Sequence, residues 1–269
     1  MNLSAWKGST GTHHTPSGQL GRKGEASQWR VAGLGVTRAV SLPDLDKQFS
    51  ALPSVASEIM SIVRTEASPL GALPGVIVLD EAFGEDAFRD ALRDASVLHV
   101  ASHFHLTPGS RDNSFLLLGD RTRLSLSDIQ TMSFAGTQLV TLSACDTAQS
   151  GGRGGHGSEI EGLAAAVQSK GAQSVLATLW PVEDNSTAHL MGVFYRLRSG
   201  ALSASHNTAQ SLRRAQLSLI RDVSEEGDAN LTRGVVTPTG PLQSPMRTEA
   251  LPYRHPYHWA PFVLMGNWL

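Results

Sequence analysis

The sequence has a single cysteine, no run of basic residues and no long uninterrupted apolar segment. With Cys145 alone, an internal disulfide and the multi-cysteine zinc motifs are excluded. The formal net charge of −2 creates no general basic field that would attract nucleic acid. The most apolar region, 162–179, is interrupted by Gln168, Lys170 and Gln173, which makes it a poor membrane span. We therefore expect no nucleic acid or membrane partner.

The beginning of the chain is poor in large apolar residues and has no hydrophobic segment of the signal-peptide type. Residues 1–30 are rich in Gly, Ser, Thr and His, so we predict a disordered or non-native tail there, followed by one domain over 31–269. With 41% hydrophobic residues, the chain can bury one sizeable core. A lone thiol without a secretion signal favours a reducing, cytoplasmic setting.

Short apolar runs alternate with segments of helical periodicity along the rest of the chain. The runs predict strands at 76–79, 97–101, 115–118, 139–143, 174–179 and 262–265. The periodic segments predict helices near 52–63, 85–92, 158–171, 184–200 and 208–220. Because the strands are continuous apolar runs rather than alternating ones, they predict a mostly parallel sheet with helices on both faces, an α/β sandwich.

Two residues with catalytic chemistry follow predicted strands. His103 comes after the strand at 97–101, and Cys145 comes after the strand at 139–143. Ligand chemistry in parallel sheets gathers at the carboxyl ends of strands, so we expect these two strands to be neighbours, with the side chains of His103 and Cys145 facing one cleft. A histidine can take the proton of a thiol and return it to a leaving amine. In caspases the histidine precedes the cysteine by about 50 residues, but spacing alone leaves structural roles open for both residues.

Several motifs together resemble those of CHAT domain proteins. The stretch VLHVASH at 97–103 resembles their histidine motif, and LVTLSACDTA at 139–148 is similar to their cysteine motif. Further similar segments follow in the expected order, at 161–163, 171–175, 179–184, 194–195 and 255–263. The resemblance extends from about residue 31 to the end of the chain.

The resemblance implies a caspase-like three-layer α/β sandwich and a cysteine endopeptidase with His103 and Cys145 as its catalytic pair. The reaction passes through a thioester intermediate and needs no cofactor, and backbone N–H groups of Phe104 and Cys145 hold the oxyanion. The family further implies a protein substrate, a TPR-type or other sensor protein as partner, and a role in bacterial regulation or defence.

Two departures from the family pattern stand out. Many relatives have glycine directly after the catalytic histidine, where this chain has Phe104, which restricts the backbone and adds bulk at the cleft. Relatives also begin with further strands before the region that starts here at Val31. The domain therefore looks as if it lacks its first strand or two, which would leave a sheet edge exposed.

Other functions stay open at this point. The chain could be a catalytically silent CHAT-like regulatory or interaction module, or a thiol hydrolase acting on a small-molecule ester or amide. A metal site at His99, His103 and His105 is not favoured, because no nearby carboxylate completes a ligand set.

Acidic residues near the predicted cleft suggest a substrate preference. Asp184 follows the strand at 174–179, which we expect beside the Cys145 strand, and Asp146 adjoins the nucleophile. A carboxylate pairs well with guanidinium, so we predict Arg or Lys at P1, the substrate residue before the scissile bond. The alternative is that Asp184 or Ser186 only caps the helix that follows.

Overall fold

The chain folds around one seven-stranded sheet. The computed structural model describes residues 29–107, 109–143, 156–180, 182–200, 206–221 and 253–267, with the backbone alone at 156–159 and at Asp184. None of the helices in these ranges combines the length and apolar character needed to cross a lipid bilayer.

Strands and helices alternate through most of the chain. The strands of the main sheet are β1 (Val31–Gly35), β4 (Val63–Arg64), β5 (Leu73–Leu79), β6 (Val97–Ala101), β10 (Leu139–Leu142), β11 (Ser174–Thr178) and β12 (Phe262–Gly266). The helices are α1 (Val55–Ile62), α2 (Glu85–Asp94), α3 (Leu126–Thr131), α4 (His156–Ser169), α5 (Asp184–Arg198), α6 (Thr208–Arg221) and α7 (Pro256–Trp259).

The sheet is parallel except at one edge, as the apolar runs predict. Its strand order is β12-β11-β10-β6-β1-β5-β4, and only β12 runs antiparallel to its neighbour. β1 lies between β5 and β6, so the first strand of the described chain is not at an edge. The absence of earlier family strands stays a prediction.

The sheet separates two hydrophobic cores. The first core joins one face of the sheet to α2, α3 and α4, and it includes Leu34, Leu98, Val140 and Val175 from the strands. The second core joins the opposite face to α1, α5 and α6. Because successive side chains on a strand point to opposite faces, every central strand supplies both cores. This burial confirms the predicted three-layer α/β sandwich.

Helix α1 approaches β1 unusually closely, and glycines make this possible. A Cβ atom on Gly33 would lie 2.5 Å from Ile59 Cγ2, and one on Gly35 would lie 2.6 Å from Val55 Cγ1. The first described residues also join the second core, since the Trp29 side chain is only 4% exposed and its indole N–H donates to Gln138 Oε1 at 2.7 Å. Trp29 falls within the stretch that the sequence assigns to the tail.

Two small antiparallel sheets extend from the carboxyl side of the main sheet. One is the hairpin of β2 (Val40–Leu42) and β3 (Lys47–Phe49), which lies between β1 and α1. The other contains β7 (Phe104–Thr107), β8 (Ser110–Leu117) and β9 (Arg123–Ser125), and it follows β6. Both elements contribute to the surroundings of His103.

Candidate active site

The segments that lead to the two predicted catalytic residues are neighbours. β6 and β10 pair in parallel, with Leu142 opposite Val100. The Ser143 N–H continues this ladder by donating to Val100 O at 2.9 Å. His103 therefore follows a strand end adjacent to the one that leads towards Cys145. Cys145 and Asp146 themselves lie outside the described residues.

His103 is buried and held by a main-chain carbonyl. Its side chain is 1% exposed, and Nε2 lies 2.8 Å from Ser50 O. A carbonyl oxygen only accepts hydrogen bonds, so Nε2 must carry the proton. In the neutral imidazole the lone pair is then on Nδ1. The Ser50 carbonyl thus selects the tautomer in which Nδ1 can accept a proton.

The residue before Ser50 supports the same imidazole through ring packing. The centroids of the Phe49 and His103 rings are 5.3 Å apart, and the rings are tilted by 43°. Phe49 is buried at the end of β3 and also contacts Phe115 of β8. Two consecutive residues of the β3–α1 loop region therefore contact His103, one through its ring and one through its carbonyl. Ser50 could not be found from the sequence, because its contact uses a backbone atom that every residue has.

The main chain at Phe104 points its N–H away from β8. Leu117 N donates to His103 O at 2.9 Å, and Phe104 lies opposite Leu116 in the next pair. In an antiparallel ladder, hydrogen-bonded and non-hydrogen-bonded pairs alternate, so the Phe104 N–H faces away from the partner strand. The Phe104 side chain is 1% exposed and belongs to the first core. The expectation that it adds bulk at the cleft is therefore wrong.

A second buried histidine, His99, lies four residues earlier in a network of polar side chains. His99 Nε2 is 2.9 Å from Glu58 Oε1, and Nδ1 is 3.3 Å from the Tyr195 hydroxyl. That hydroxyl is also 2.8 Å from Thr141 Oγ1. Burial raises the pKa of the Tyr195 phenol above its ordinary range, and the hydrogen bond with Thr141 opposes this shift.

Glu58 is not among the residues predicted from the sequence, and the expectation that no carboxylate lies near the histidines is wrong for His99. A signal was present: α1 buries Val55, Glu58, Ile59 and Ile62, so an acidic residue occupies its apolar stripe. Within the described ranges no group of three or more possible ligands could hold a metal ion.

The three histidines of the segment are separated because β6 ends at Ala101. His99 faces α1 and α5, whereas His103 contacts Phe49 of the first core. His105 packs against Phe115 on β8, at a centroid distance of 5.1 Å. Even spacing along the chain therefore does not bring these side chains to one site.

Asp184 begins α5, directly after the turn that follows β11. β11 pairs in parallel with β10, so α5 starts at the same edge of the sheet as the two candidate catalytic segments. By its backbone conformation the N-cap of α5 is Glu183, and its side chain makes no capping hydrogen bond. The sequence allows Asp184 or Ser186 as the N-cap residue, but neither of them occupies that position. The Asp184 side chain is outside the described part.

Comparison with known families identifies the chain. The family model described as CHAT domain matches residues 11–267. The chain belongs to the CHAT domain family. The three-layer sandwich described above agrees with the fold that the resemblance to this family implies.

Comparisons with individual proteins give weaker likenesses. Twenty-two chains of solved structures match, among them the crystal structure of the Arg-specific cysteine proteinase gingipain R. That match has 11% sequence identity and a TM-score of 0.42, and it covers 72% of this CHAT domain chain. This chain covers 43% of the gingipain chain, which is less than half of its length. A search of the curated proteins finds no match.

Proposed function

We propose that this CHAT domain protein is a cysteine endopeptidase with His103 as general base and Cys145 as nucleophile. One observation carries the proposal: the imidazole of His103 is oriented at the carboxyl end of β6 by Ser50 O, beside the strand that leads to Cys145. A base at such a strand end, held in one tautomer by a second group, is the arrangement that nucleophilic catalysis needs.

The reaction follows from the roles of these groups. His103 Nδ1 takes the thiol proton of Cys145, and the thiolate attacks the scissile carbonyl carbon. The N–H groups of Phe104 and Cys145 donate to the resulting oxyanion, and the outward direction of the Phe104 N–H supports this role. The imidazolium then protonates the leaving amine, which leaves a thioester. Water, deprotonated by His103, hydrolyses the thioester and frees the thiol.

The single cysteine makes a sharp test possible, because any covalent thiol label must be on Cys145. A peptide probe with an electrophile that requires an active thiolate should label the folded protein, and Cys145→Ala should abolish both labelling and peptide hydrolysis. We expect hydrolysis to fall by on the order of 10³-fold or more, because no other nucleophile can form the thioester.

The matched control is His105→Ala, which removes a histidine two residues from His103 and should leave labelling unchanged. Hydrolysis that persists in purified Cys145→Ala would exclude the cysteine mechanism. A folded protein that the probe never labels would instead support a catalytically silent module.

We further propose that the substrate is a protein cleaved after Arg or Lys, with Asp184 and Asp146 as the acidic residues that bind the P1 side chain. The proposal is supported by the position of Asp184 at the start of α5, after the strand that pairs with β10. The N-cap residue of α5 is Glu183, so Asp184 is not needed as the N-cap.

Asp184→Asn should keep the fold and reduce the preference for basic P1 residues by about 10²-fold in kcat/KM. The control is Glu183→Gln, which removes the neighbouring charge. A panel of fluorogenic peptides that differ only at P1 measures both variants, and unchanged selectivity in Asp184→Asn would remove Asp184 from the pocket. The biological setting that we propose is cytoplasmic bacterial regulation or defence, in partnership with a TPR-type or other sensor protein.

A further inference from the structure

The loop that carries Ser50 is fixed to the main sheet by a side chain far from it in sequence. Thr37 follows β1, and its main-chain N–H donates to Asp80 Oδ1 at 2.8 Å. The Thr37 hydroxyl also lies 2.7 Å from Asp80 Oδ2 and 3.0 Å from Oδ1. Hydrogen bonds to an ionised acceptor are stronger than neutral ones. Asp80 therefore holds the second residue of the β1–α1 connection, Thr37, at both its backbone and its side chain.

Thr37 in turn holds the end of the same connection. Its carbonyl accepts a hydrogen bond from Leu52 N at 3.0 Å. Leu52 lies two residues after Ser50, and the next bond along the chain, from Val55 N to Leu52 O at 3.2 Å, leads into α1. The hairpin of β2 and β3 is thus closed at its base by Thr37, and the segment with Phe49 and Ser50 exits from that closure.

Asp80 lies at the carboxyl end of β5, where its backbone conformation and its contacts hold it in place. Its φ of 49° lies in the left-handed region, which Asp and Asn adopt more readily than other residues with a side chain. Its carbonyl accepts from Phe83 N at 2.7 Å. The β8–β9 turn is packed against it so closely that a Cβ on Gly119 would lie 2.0 Å from Asp80 O. The carboxylate is mostly buried, and the Arg38 guanidinium lies 3.8 Å from Oδ2.

We propose that Asp80 is a positioning residue for His103, which acts through Thr37 and Leu52 to set the place of the Ser50 carbonyl. The contacts run in one line across the carboxyl edge of the sheet, from β5 through the connection after β1 to the end of β6. Ser50 is exposed, so its own side chain does not fix its carbonyl. The catalytic consequence rests on the proposed function of His103, whereas the structural consequence does not.

The structural consequence can be measured without any turnover. In Cys145→Ala protein at about pH 8, the Nε2–H proton of neutral His103 should give a ring N–H resonance protected from water, because it is buried and bonded to Ser50 O. Adding Asp80→Ala or Thr37→Val should remove this resonance by opening the loop. Asp80→Asn and Thr37→Ser, which keep the left-handed backbone and the hydroxyl respectively, should retain it. The resonance is assigned to His103 by its disappearance in His103→Gln.

The catalytic consequence is a loss in kcat with little change in KM, because the substrate-binding groups are untouched. We expect Asp80→Ala and Thr37→Val to lower kcat by about 10- to 100-fold, as for a small displacement of a catalytic group. The two conservative variants should stay within about threefold of wild type. Asp128→Ala is a matched control, since Asp128 Oδ2 accepts from the Ser125 N–H at 3.2 Å and from the Ser125 hydroxyl at 2.6 Å, in a segment that carries neither Asp80 nor Ser50.

The outcomes separate the two proposals. If the resonance persists in Asp80→Ala and kcat equals that of Asp80→Asn, the positioning role is wrong while the catalytic pair stands. If the resonance is lost in Asp80→Ala but His103→Ala hydrolyses peptides as well as wild type, Asp80 positions His103 and the proposed base is wrong. An equal loss of kcat in Asp128→Ala would mean that any loosened loop lowers kcat, and this result would overturn the proposal.

Discussion

His99 and His103 are four residues apart and equally buried, at 0% and 1% exposure, yet they occupy different chemical surroundings. His99 lies within β6, and its two ring nitrogens contact polar side chains of two helices, Glu58 and Tyr195. His103 lies beyond the strand and is bonded through Nε2 to a main-chain carbonyl, which cannot titrate. Burial alone therefore does not distinguish His99 from His103, the proposed general base, whereas their hydrogen-bond partners and their positions relative to the strand end do.

The network around His99 connects the two strands that lead to the candidate catalytic pair. Thr141 is the direct partner of His99 in the β6–β10 register, and Tyr195 of α5 contacts both side chains. Glu58 adds α1, which approaches closely because Gly33, the partner of His99 on β1, has no side chain. The network thus joins both strands to helices α1 and α5, which lie on one side of the sheet. We expect it to contribute to the stability of the fold and not to peptide hydrolysis.

The largest effect on peptide hydrolysis should come from His103→Ala, with only a small effect on stability. Removing the general base should lower kcat/KM for peptide hydrolysis by about 10³-fold. The free energy of unfolding should fall by only about 1 kcal/mol, because water can bond to Ser50 O once the ring is gone. Steady-state kinetics and urea unfolding measure the two effects. A variant that hydrolyses peptides normally would remove His103 from the mechanism.

His99→Ala should show the opposite pattern. It leaves Glu58 buried without its imidazole partner, which costs about 1–3 kcal/mol of unfolding free energy, and the cavity left by the ring adds to this loss. The folded fraction should still react with a thiolate-directed probe. Glu58→Gln keeps a hydrogen-bond partner for His99 and should cost less, about 1 kcal/mol. Equal losses of stability in His99→Ala and His103→Ala, measured by urea unfolding, would contradict the view that His99 contributes more to stability than His103 does.

The smallest effect should come from His105, which is neither in the network nor at the strand end. Burial lowers the pKa of the His105 imidazole, and the nearby charge of Lys47 lowers it further. Below the ordinary value of 6.5 the unfolded chain therefore binds more protons than the folded one, so this contribution to stability is present above that pH and is lost as the pH falls through the folded pKa.

The matching measurement is the pH dependence of unfolding. His105→Gln should flatten the rise of the unfolding free energy with pH below the ordinary histidine value of 6.5. An unchanged slope would mean that the side chain titrates alike in both states. Peptide hydrolysis by this variant should match wild type throughout the range.

Much of the fold could be predicted from the sequence, because continuous apolar runs such as those of β6, β10 and β11 can only be buried between two layers. The neighbouring strands that precede His103 and Cys145 followed from the same pattern and are confirmed. The orientation of Phe104 could not be predicted, because a strand residue reaches the core or the cleft according to the register with β8.

By itself, then, the sequence determined the layers, the order in which strands and helices alternate, and the family, since these depend on periodicity and on motifs that are contiguous in the chain. Only the tertiary structure decided which groups contact the two histidines. Glu58 reaches His99 through helix packing against glycines, and Ser50 reaches His103 through a loop held by Thr37 and Asp80. Such contacts join residues more than 40 positions apart, two of them through backbone atoms that no sequence pattern can distinguish.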